Sequence, residues 1–195
     1  MANIALLIAG GSGARMHQNI PKQFLTVNER PVIVYTLEAF QHHPEIDEIA
    51  VVCIEGWESV LWAYANQFNI TKLKYVVPGG KNGQDSIRNG VFELEKHHSP
   101  NDIVLIHDAI RPMVSAEIIS DCIRVTQLYG NAITVIPCAE AMMQTEDGVV
   151  STGSYPRDNL KRTQTPQGFP IGKICDLHRR ALKAGITNSV ASCTL

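Results

Sequence analysis

The chain has 195 residues, 45% of them hydrophobic and 18% charged, and a formal net charge of −2. That is enough apolar material for a substantial buried core, with no bulk charge to draw it to nucleic acid or to a membrane surface. No apolar run approaches a membrane span, and Met1-Ala2-Asn3 lacks the charged region and apolar stretch of a signal peptide.

In chain order, an apolar strand at Ile4–Ile8 runs into a glycine-rich turn. The spacing then predicts a helix at Pro31–Phe40, with proline in the first turn and Val34, Leu37 and Phe40 on one face. A strand at Ile49–Ile54, a helix at Glu58–Phe68, a strand at Tyr75–Val77 and a helix at Ser86–Lys96 follow. Next come a strand at Ile103–Ile106 and a helix at Ala116–Tyr129, with Ser115 as its N-cap and Ile118 and Ile119 opening its buried face. A strand at Ala132–Ile136 closes the alternation. From Cys138 to about Arg157 the pattern fails, and a Glu-Asp-Gly turn between β-forming residues predicts a projecting hairpin. A last helix, roughly Gly172–Lys183, follows Pro166 and Pro170. There is no internal repeat, linker or low-complexity segment, and residues 1–195 read as one domain.

Near-continuous apolar strands alternating with helices imply an α/β fold, a mostly parallel sheet covered on both sides. Ligands then bind beyond the carboxyl ends of the strands. The cysteines Cys53, Cys122, Cys138, Cys175 and Cys193 are odd in number and form no C-x-x-C pair. This speaks against a disulfide framework and a zinc site, and fits buried thiols in a reducing cytoplasm. His42-His43 and His97-His98 are poor chelators, because neighbours on a helix point apart, and are expected to be solvated helix-end residues.

Four segments carry chemistry. Ala9-Gly10-Gly11-Ser12-Gly13-Ala14-Arg15-Met16 follows the first strand, and Pro21-Lys22-Gln23-Phe24-Leu25 comes shortly after. Glycines let backbone N–H groups turn toward an anion, and Arg15 and Lys22 neutralise it; a nucleoside triphosphate is the natural ligand. A Walker A loop fails here, since Gly13-Ala14-Arg15 stands where Gly-Lys-Ser/Thr is needed. A dinucleotide fingerprint is weak, since Met16 takes the place of its third glycine. In the second segment, Val104 to Pro112, Asp108 ends a buried strand where it can hold Mg²⁺ against a triphosphate, and Arg111 can pair with a phosphate or with Asp108 itself. Alone, it also reads as a helix-capping aspartate with a surface arginine. The third, Pro78-Gly79-Gly80-Lys81-Asn82-Gly83-Gln84-Asp85-Ser86, opens as a glycine turn, enters a helix near Ser86 and offers donors for a pyrimidine; it reads equally as a loop with a Ser or Asp cap. The fourth, Tyr155-Pro156-Arg157 and Arg162-Thr163-Gln164-Thr165-Pro166-Gln167-Gly168-Phe169, suits a second, phosphorylated substrate or is a plain polar loop.

Together these segments resemble one family, the 2-C-methyl-D-erythritol 4-phosphate cytidylyltransferases and their ribitol-5-phosphate relatives, over nearly the whole chain. The resemblance implies a doubly wound, Rossmann-like nucleotidyltransferase fold and a homodimer joined through the hairpin arm, about residues 139–156. It implies transfer of CMP from CTP to a polyol phosphate, with release of pyrophosphate. In that scheme Arg15 and Lys22 are catalytic and Asp108 holds Mg²⁺. Ala9, Gly10, Gly11, Ser12, Gly13 and Ala14 cradle the triphosphate, and Gly79, Gly80, Asp85 and Ser86 contact cytidine. Arg111, Arg157, Thr165 and Thr187 face the polyol phosphate. The sequence departs from the family pattern in three places: Glu140-Ala141 stands where Asp-Thr is usual, Asn188 follows Thr187 where aspartate is usual, and an Asn-Ile-Lys segment with a closing helix is expected beyond Leu195. Two other readings share the motifs. A sugar-1-phosphate nucleotidyltransferase would favour UTP or dTTP, and a nucleotide-binding partner protein would bind CTP without turnover.

Overall fold

The computed structural model describes residues 1–11, 20–187, 189 and 192–194. The chain opens with β1 (Asn3–Ala9), a 3-10 turn at Lys22–Phe24, a two-rung hairpin of β2 (Thr26–Val27) and β3 (Arg30–Pro31), and helix α1 (Val32–Gln41). It continues through β4 (Glu48–Cys53), α2 (Glu58–Gln67), β5 (Leu73–Pro78), α3 (Gly83–Glu95), β6 (Ile103–Asp108), α4 (Ala116–Tyr129) and β7 (Ala132–Pro137). Then come β8 (Met142–Thr145), β9 (Ser151–Tyr155), β10 (Lys161–Pro170) and α5 (Ile171–Lys183).

Six strands form one sheet in the order β5-β4-β1-β6-β10-β7. The first four run parallel, and β10 is antiparallel to both β6 and β7. Alternation along β1 divides the core in two. Ala5, Leu7 and Ala9 face a layer with Ile33, Leu37 and Phe40 of α1, Leu61 of α2 and Ile119 and Ile123 of α4. Ile4 and Leu6 face Val91 and Leu94 of α3 and Ile174 and Cys175 of α5. Each of these large side chains contributes about 1.5–3 kcal/mol by leaving water. A mostly parallel sheet covered on both sides is therefore what the apolar runs predict, a doubly wound one is what the resemblance implies, and both form. Its winding reverses between β1 and β6, which opens a crevice at their carboxyl ends.

Several expectations need correction. Helix α3 starts at Gly83, three residues before Ser86, because Asn82 takes the cap and its side chain accepts from the Asp85 N–H at 2.9 Å. Helix α4 has its expected bounds and its Ser115 cap, but only Ile119 is buried, while Ile118 is 39% exposed. The polar stretch after Leu160 is the ten-residue strand β10, inserted into the middle of the sheet. Two prolines and the lack of apolar alternation conceal it. The ladder with β7 breaks between Thr163 and Gln167, and Pro166 sits in that break, where its missing N–H costs no pairing. His43 and His98 are not solvated. His43 is buried with Nε2 against the Ala116 carbonyl oxygen at 3.1 Å, and His98 packs edge-on to Tyr75.

Cys53, Cys122, Cys138 and Cys175 are buried free thiols, and burial pushes Cys53, Cys122 and Cys175 up to about 12. The projecting hairpin forms as expected. β8 pairs antiparallel with β9, and every residue from Glu140 to Asn159 is exposed. Its turn is tied by Asp147, whose Oδ1 accepts from the Val149 and Val150 N–H groups at 2.8 Å each. No helix among the described residues is long and apolar enough to cross a membrane.

Candidate active site

Two cavities meet at the crevice. The larger, about 640 Å³, lies between the turn after β1 (Gly10, Gly11), Lys22 and the loop after β5 (Gly80, Lys81). The smaller, about 250 Å³, lies between the first turn of α3 and Thr163, Gln164, Thr165 and Gln167 of β10. Asp108 and Arg111 line both and form part of the wall between them.

The two glycine turns touch. A Cβ on Gly10 would stand 3.3 Å from the Gly79 Cα, and a Cβ on Gly79 would stand 3.2 Å from the Gly10 Cα. A Cβ at either position would force the facing main chain to give by a few tenths of an ångström. The turn after β1 is also held from below. Gln23, 1% exposed, donates its Nε2 to the carbonyl oxygens of Ala9 at 2.6 Å and Gly11 at 3.1 Å. These carbonyls are thereby committed to the protein interior, while Lys22, the residue before Gln23, lines the larger cavity.

On the far side of that cavity, Ser86 Oγ donates to the Asn82 carbonyl oxygen at 2.9 Å and accepts from the Gly80 N–H at 3.0 Å. Ser86 thus shapes the glycine loop. Asp85 is paired with Arg88 at 2.8 Å. Helix α3 directs its N-terminal end at the cavity, a favourable placing for an anion.

Asp108 closes β6. Its Oδ2 accepts from Arg111 Nε at 2.6 Å, and Arg111 NH1 donates to Gln164 Oε1 at 2.6 Å. Of the two pairings open to Arg111 in the sequence, the one with Asp108 is present. His107, fully buried, donates from Nε2 to the Arg111 carbonyl oxygen at 3.0 Å, and burial pushes its pKa down. It is therefore a neutral peg under the Asp108–Arg111 turn. The Asp108 N–H donates to Thr165 Oγ1 at 3.3 Å, which ties β10 to the same point.

Ala9, Gly10, Gly11, Lys22, Gly79, Gly80, Ser86, Asp108, Arg111 and Thr165 are thus brought to one edge. Asp85, Thr187 and Arg157 line neither cavity. Thr187 offers its carbonyl oxygen to Asn82 Nδ2 at 3.0 Å. Arg157 lies at the foot of the arm, with NH1 donating to the Ala139 carbonyl oxygen at 3.2 Å. Ser12, Gly13, Ala14, Arg15 and Asn188 lie outside the described residues. Sequence reasoning gave no role of their own to Gln23, His107 or Lys81, whereas Gln164 belonged to the segment read as suiting a phosphorylated substrate. Lys81 stood in a glycine loop as a visible signal, but the reach of Gln23 and His107 depends on tertiary geometry.

Among the described residues no cluster of three or more His, Cys, Asp or Glu forms a metal cage. A cation at Asp108 would draw its other ligands from phosphate and water, and that is the usual manner of Mg²⁺. The lone carboxylate at the cavity wall fits that ion.

Residues 3–193 match the family described as IspD, 2-C-methyl-D-erythritol 4-phosphate cytidylyltransferase. A ribitol-5-phosphate cytidylyltransferase of Lacticaseibacillus paracasei is 42% identical over 93% of this chain and 78% of its own length. Another from Vibrio parahaemolyticus is 40% identical over 99% and 82%. A 2-C-methyl-D-erythritol 4-phosphate cytidylyltransferase of Clostridium botulinum is 39% identical over 93% and 78%. In three dimensions, a crystal structure of 4-diphosphocytidyl-2C-methyl-D-erythritol synthase from Anaerococcus prevotii superposes with a TM-score of 0.81 at 24% identity, over 98% of this chain and 81% of that one. That likeness concerns the fold. The identities, spread over nearly the full length and taken with the matched family, settle the relationship: the chain belongs to the 2-C-methyl-D-erythritol 4-phosphate cytidylyltransferase family.

Proposed function

We propose that the chain transfers CMP from CTP to a polyol phosphate of the ribitol 5-phosphate or methylerythritol 4-phosphate kind. The observation that carries this reading is the pair Asp108 and Arg111, shared between a larger, phosphate-suited cavity and a smaller one edged by Thr163, Gln164 and Thr165. CTP takes the larger, with its triphosphate over Gly10, Gly11 and Lys22 and its base toward Gly79 and Gly80. The acceptor takes the smaller, with its phosphate toward Arg111 and Thr165.

The chemistry follows from that juxtaposition. An oxygen of the acceptor phosphate forms a bond to the α-phosphorus of CTP, the bond from that phosphorus to the β-bridging oxygen breaks, and pyrophosphate leaves. A phosphate monoester is already ionised near neutral pH, so no strong base is required. What remains is alignment and charge stabilisation. Lys22, joined by Arg15, offsets the charge growing on the phosphates. Gln23 holds the glycine turn in one conformation, and His107 holds the Asp108–Arg111 turn. Mg²⁺ bound to Asp108 would supply further charge neutralisation.

The arm supports a homodimer. Met142, Met143, Val149, Val150 and Tyr155 are all exposed on a hairpin with no core of its own. Arg157 and Ala141 lie on that arm, in reach of a second copy's site. The buried free thiols support a cytoplasmic setting. At Glu140-Ala141, the carboxylate of Glu140 is paired with Arg162 at 2.7 Å.

The test is pyrophosphate release with Mg²⁺ and CTP, UTP or dTTP against ribitol 5-phosphate, methylerythritol 4-phosphate, glycerol phosphates and sugar 1-phosphates. Turnover of one polyol phosphate with CTP, abolished in Asp108→Ala, is the expected result. Turnover of a sugar 1-phosphate with UTP or dTTP would replace this reading. CTP binding without pyrophosphate release would leave a binding protein.

A further inference from the structure

The smaller cavity is lined by two glutamines whose side-chain oxygens the reaction above leaves without a task. Gln84 lies in the first turn of α3 and is 3% exposed; Gln167 lies in β10 and is 5% exposed. Both side chains line the cavity. Each amide is oriented by its own donor. Gln84 Nε2 gives its hydrogen to the Ile186 carbonyl oxygen at 2.9 Å, and Gln167 Nε2 gives its hydrogen to the Gln164 carbonyl oxygen at 3.2 Å. These bonds decide which end of each amide is nitrogen. The remaining ends, Gln84 Oε1 and Gln167 Oε1, are buried and have no hydrogen-bond partner. A buried acceptor without a donor is costly and calls for an explanation.

The complement of two idle acceptors is a ligand that donates. A phosphate, an acceptor at every oxygen, does not satisfy them. An ammonium group would satisfy them but would meet Arg111 at the same wall. Hydroxyl groups satisfy them without charge. We propose that Gln84 and Gln167 read the hydroxyls of the acceptor's carbon chain and thereby determine which polyol phosphate is used. This rests on the function proposed above, with the acceptor phosphate at Arg111 and its carbon chain running inward. Where a buried acceptor is paired with a substrate hydroxyl, an analogue lacking that hydroxyl is strongly disfavoured.

The experiment compares the preferred polyol phosphate with its monodeoxy analogues, using the wild-type chain and saturating CTP. Removing at least one hydroxyl is expected to lower kcat/KM by about tenfold or more. Gln84→Met and Gln167→Met keep the side-chain length and remove the acceptor. Each is expected to raise the KM for the polyol phosphate by about tenfold, leave the KM for CTP unchanged, and abolish the preference for the parent over one deoxy analogue. Equal use of the parent and every deoxy analogue by the wild type would overturn the proposal, whether or not the variants fold. An equal loss on parent and analogue in both variants would also overturn it, because that marks a packing role. Absence of pyrophosphate release from the wild type with every polyol phosphate would instead sink the underlying function, an outcome separable from the other two because it precedes any comparison of analogues.

Discussion

Single side chains at the crevice divide into those facing the cavities and those holding others in place, and the two kinds have different signatures. Lys22→Ala removes one preorganised cation and is expected to lower kcat by about 10²–10³ with little change in melting temperature, as read from steady-state kinetics and a thermal melt. Gln23→Leu leaves the Gly11 carbonyl oxygen without its side-chain donor and leaves that of Ala9 with the Ile54 N–H alone. It is expected to lower stability by about 1–3 kcal/mol and to raise the KM for CTP; unchanged values for both would contradict its clamping role. The reason neither Gln23 nor His107 was legible as functional is the same. Their partners lie across turns whose geometry no spacing rule encodes, whereas Lys22 and Asp108 declared themselves by type and by position after a strand.

His178 is a residue-scale case away from the site. It is 1% exposed in α5 beside Phe92, and neither ring nitrogen has a hydrogen-bond partner. Burial first, and the Arg88 guanidinium second, push its pKa down to about 4. The folded state therefore holds the neutral ring, while the unfolded chain takes up a proton below about pH 6.5. Stability rises with pH across that window, and on acidification from about 6.5 to about 4 this group removes on the order of 3 kcal/mol. In His178→Leu, urea midpoints measured at pH 7.5, 6 and 5 are expected to fall less steeply than in the wild type; an identical slope would show that the ring is not the proton acceptor.

At the scale of elements, legibility followed chemical contrast. Helix α4 was readable to the residue from its serine cap and apolar stripe, and in the structure Gly130 at φ 77° ends it. Strand β10 was not, because its place in the sheet comes from pairing with β6 and β7, and its own residues are those of a loop. The start of α3 was misjudged because Asn82, Asp85 and Ser86 are all good caps and the sequence alone does not rank them. Its correct position matters to the site, since it is the first turn that meets Gly80. A Cβ on Gly80 would lie 2.3 Å from the Asp85 Cβ and 2.7 Å from its carbonyl carbon. Gly80→Ala is therefore expected to push loop and helix apart at about 1–3 kcal/mol and to raise the KM for CTP. In Gly83→Ala the new methyl meets nothing within 4 Å, so no comparable loss of stability is expected on denaturation.

For the whole molecule, a mostly parallel sheet covered on both faces was legible, because near-continuous apolar strands leave few alternatives. The doubly wound plan came with the resemblance, and the arm was legible as a place where the alternation lapses. On the dimer reading, Met143→Asp with Val150→Asp is expected to shift sedimentation from a dimer to a monomer and to cost turnover by removing the partner's Arg157 from the site. A monomeric wild type would end that reading.

The contact between Gly10 and Gly79 has a last consequence. The turns after β1 and β5 lean together across the end of β4, where Gly79 N–H bonds to the Cys53 carbonyl oxygen at 2.8 Å and Ile54 N–H to that of Ala9 at 3.2 Å. The separation between the base end and the phosphate end of the cavity is thus set by main chain resting on main chain, as a gauge block sets a gap, with the Ser86 hydroxyl beside the contact. On the proposed reading, exchanging side chains around the cavity can alter how tightly a pyrimidine nucleotide is held, but admitting a purine requires the two turns to be rebuilt together.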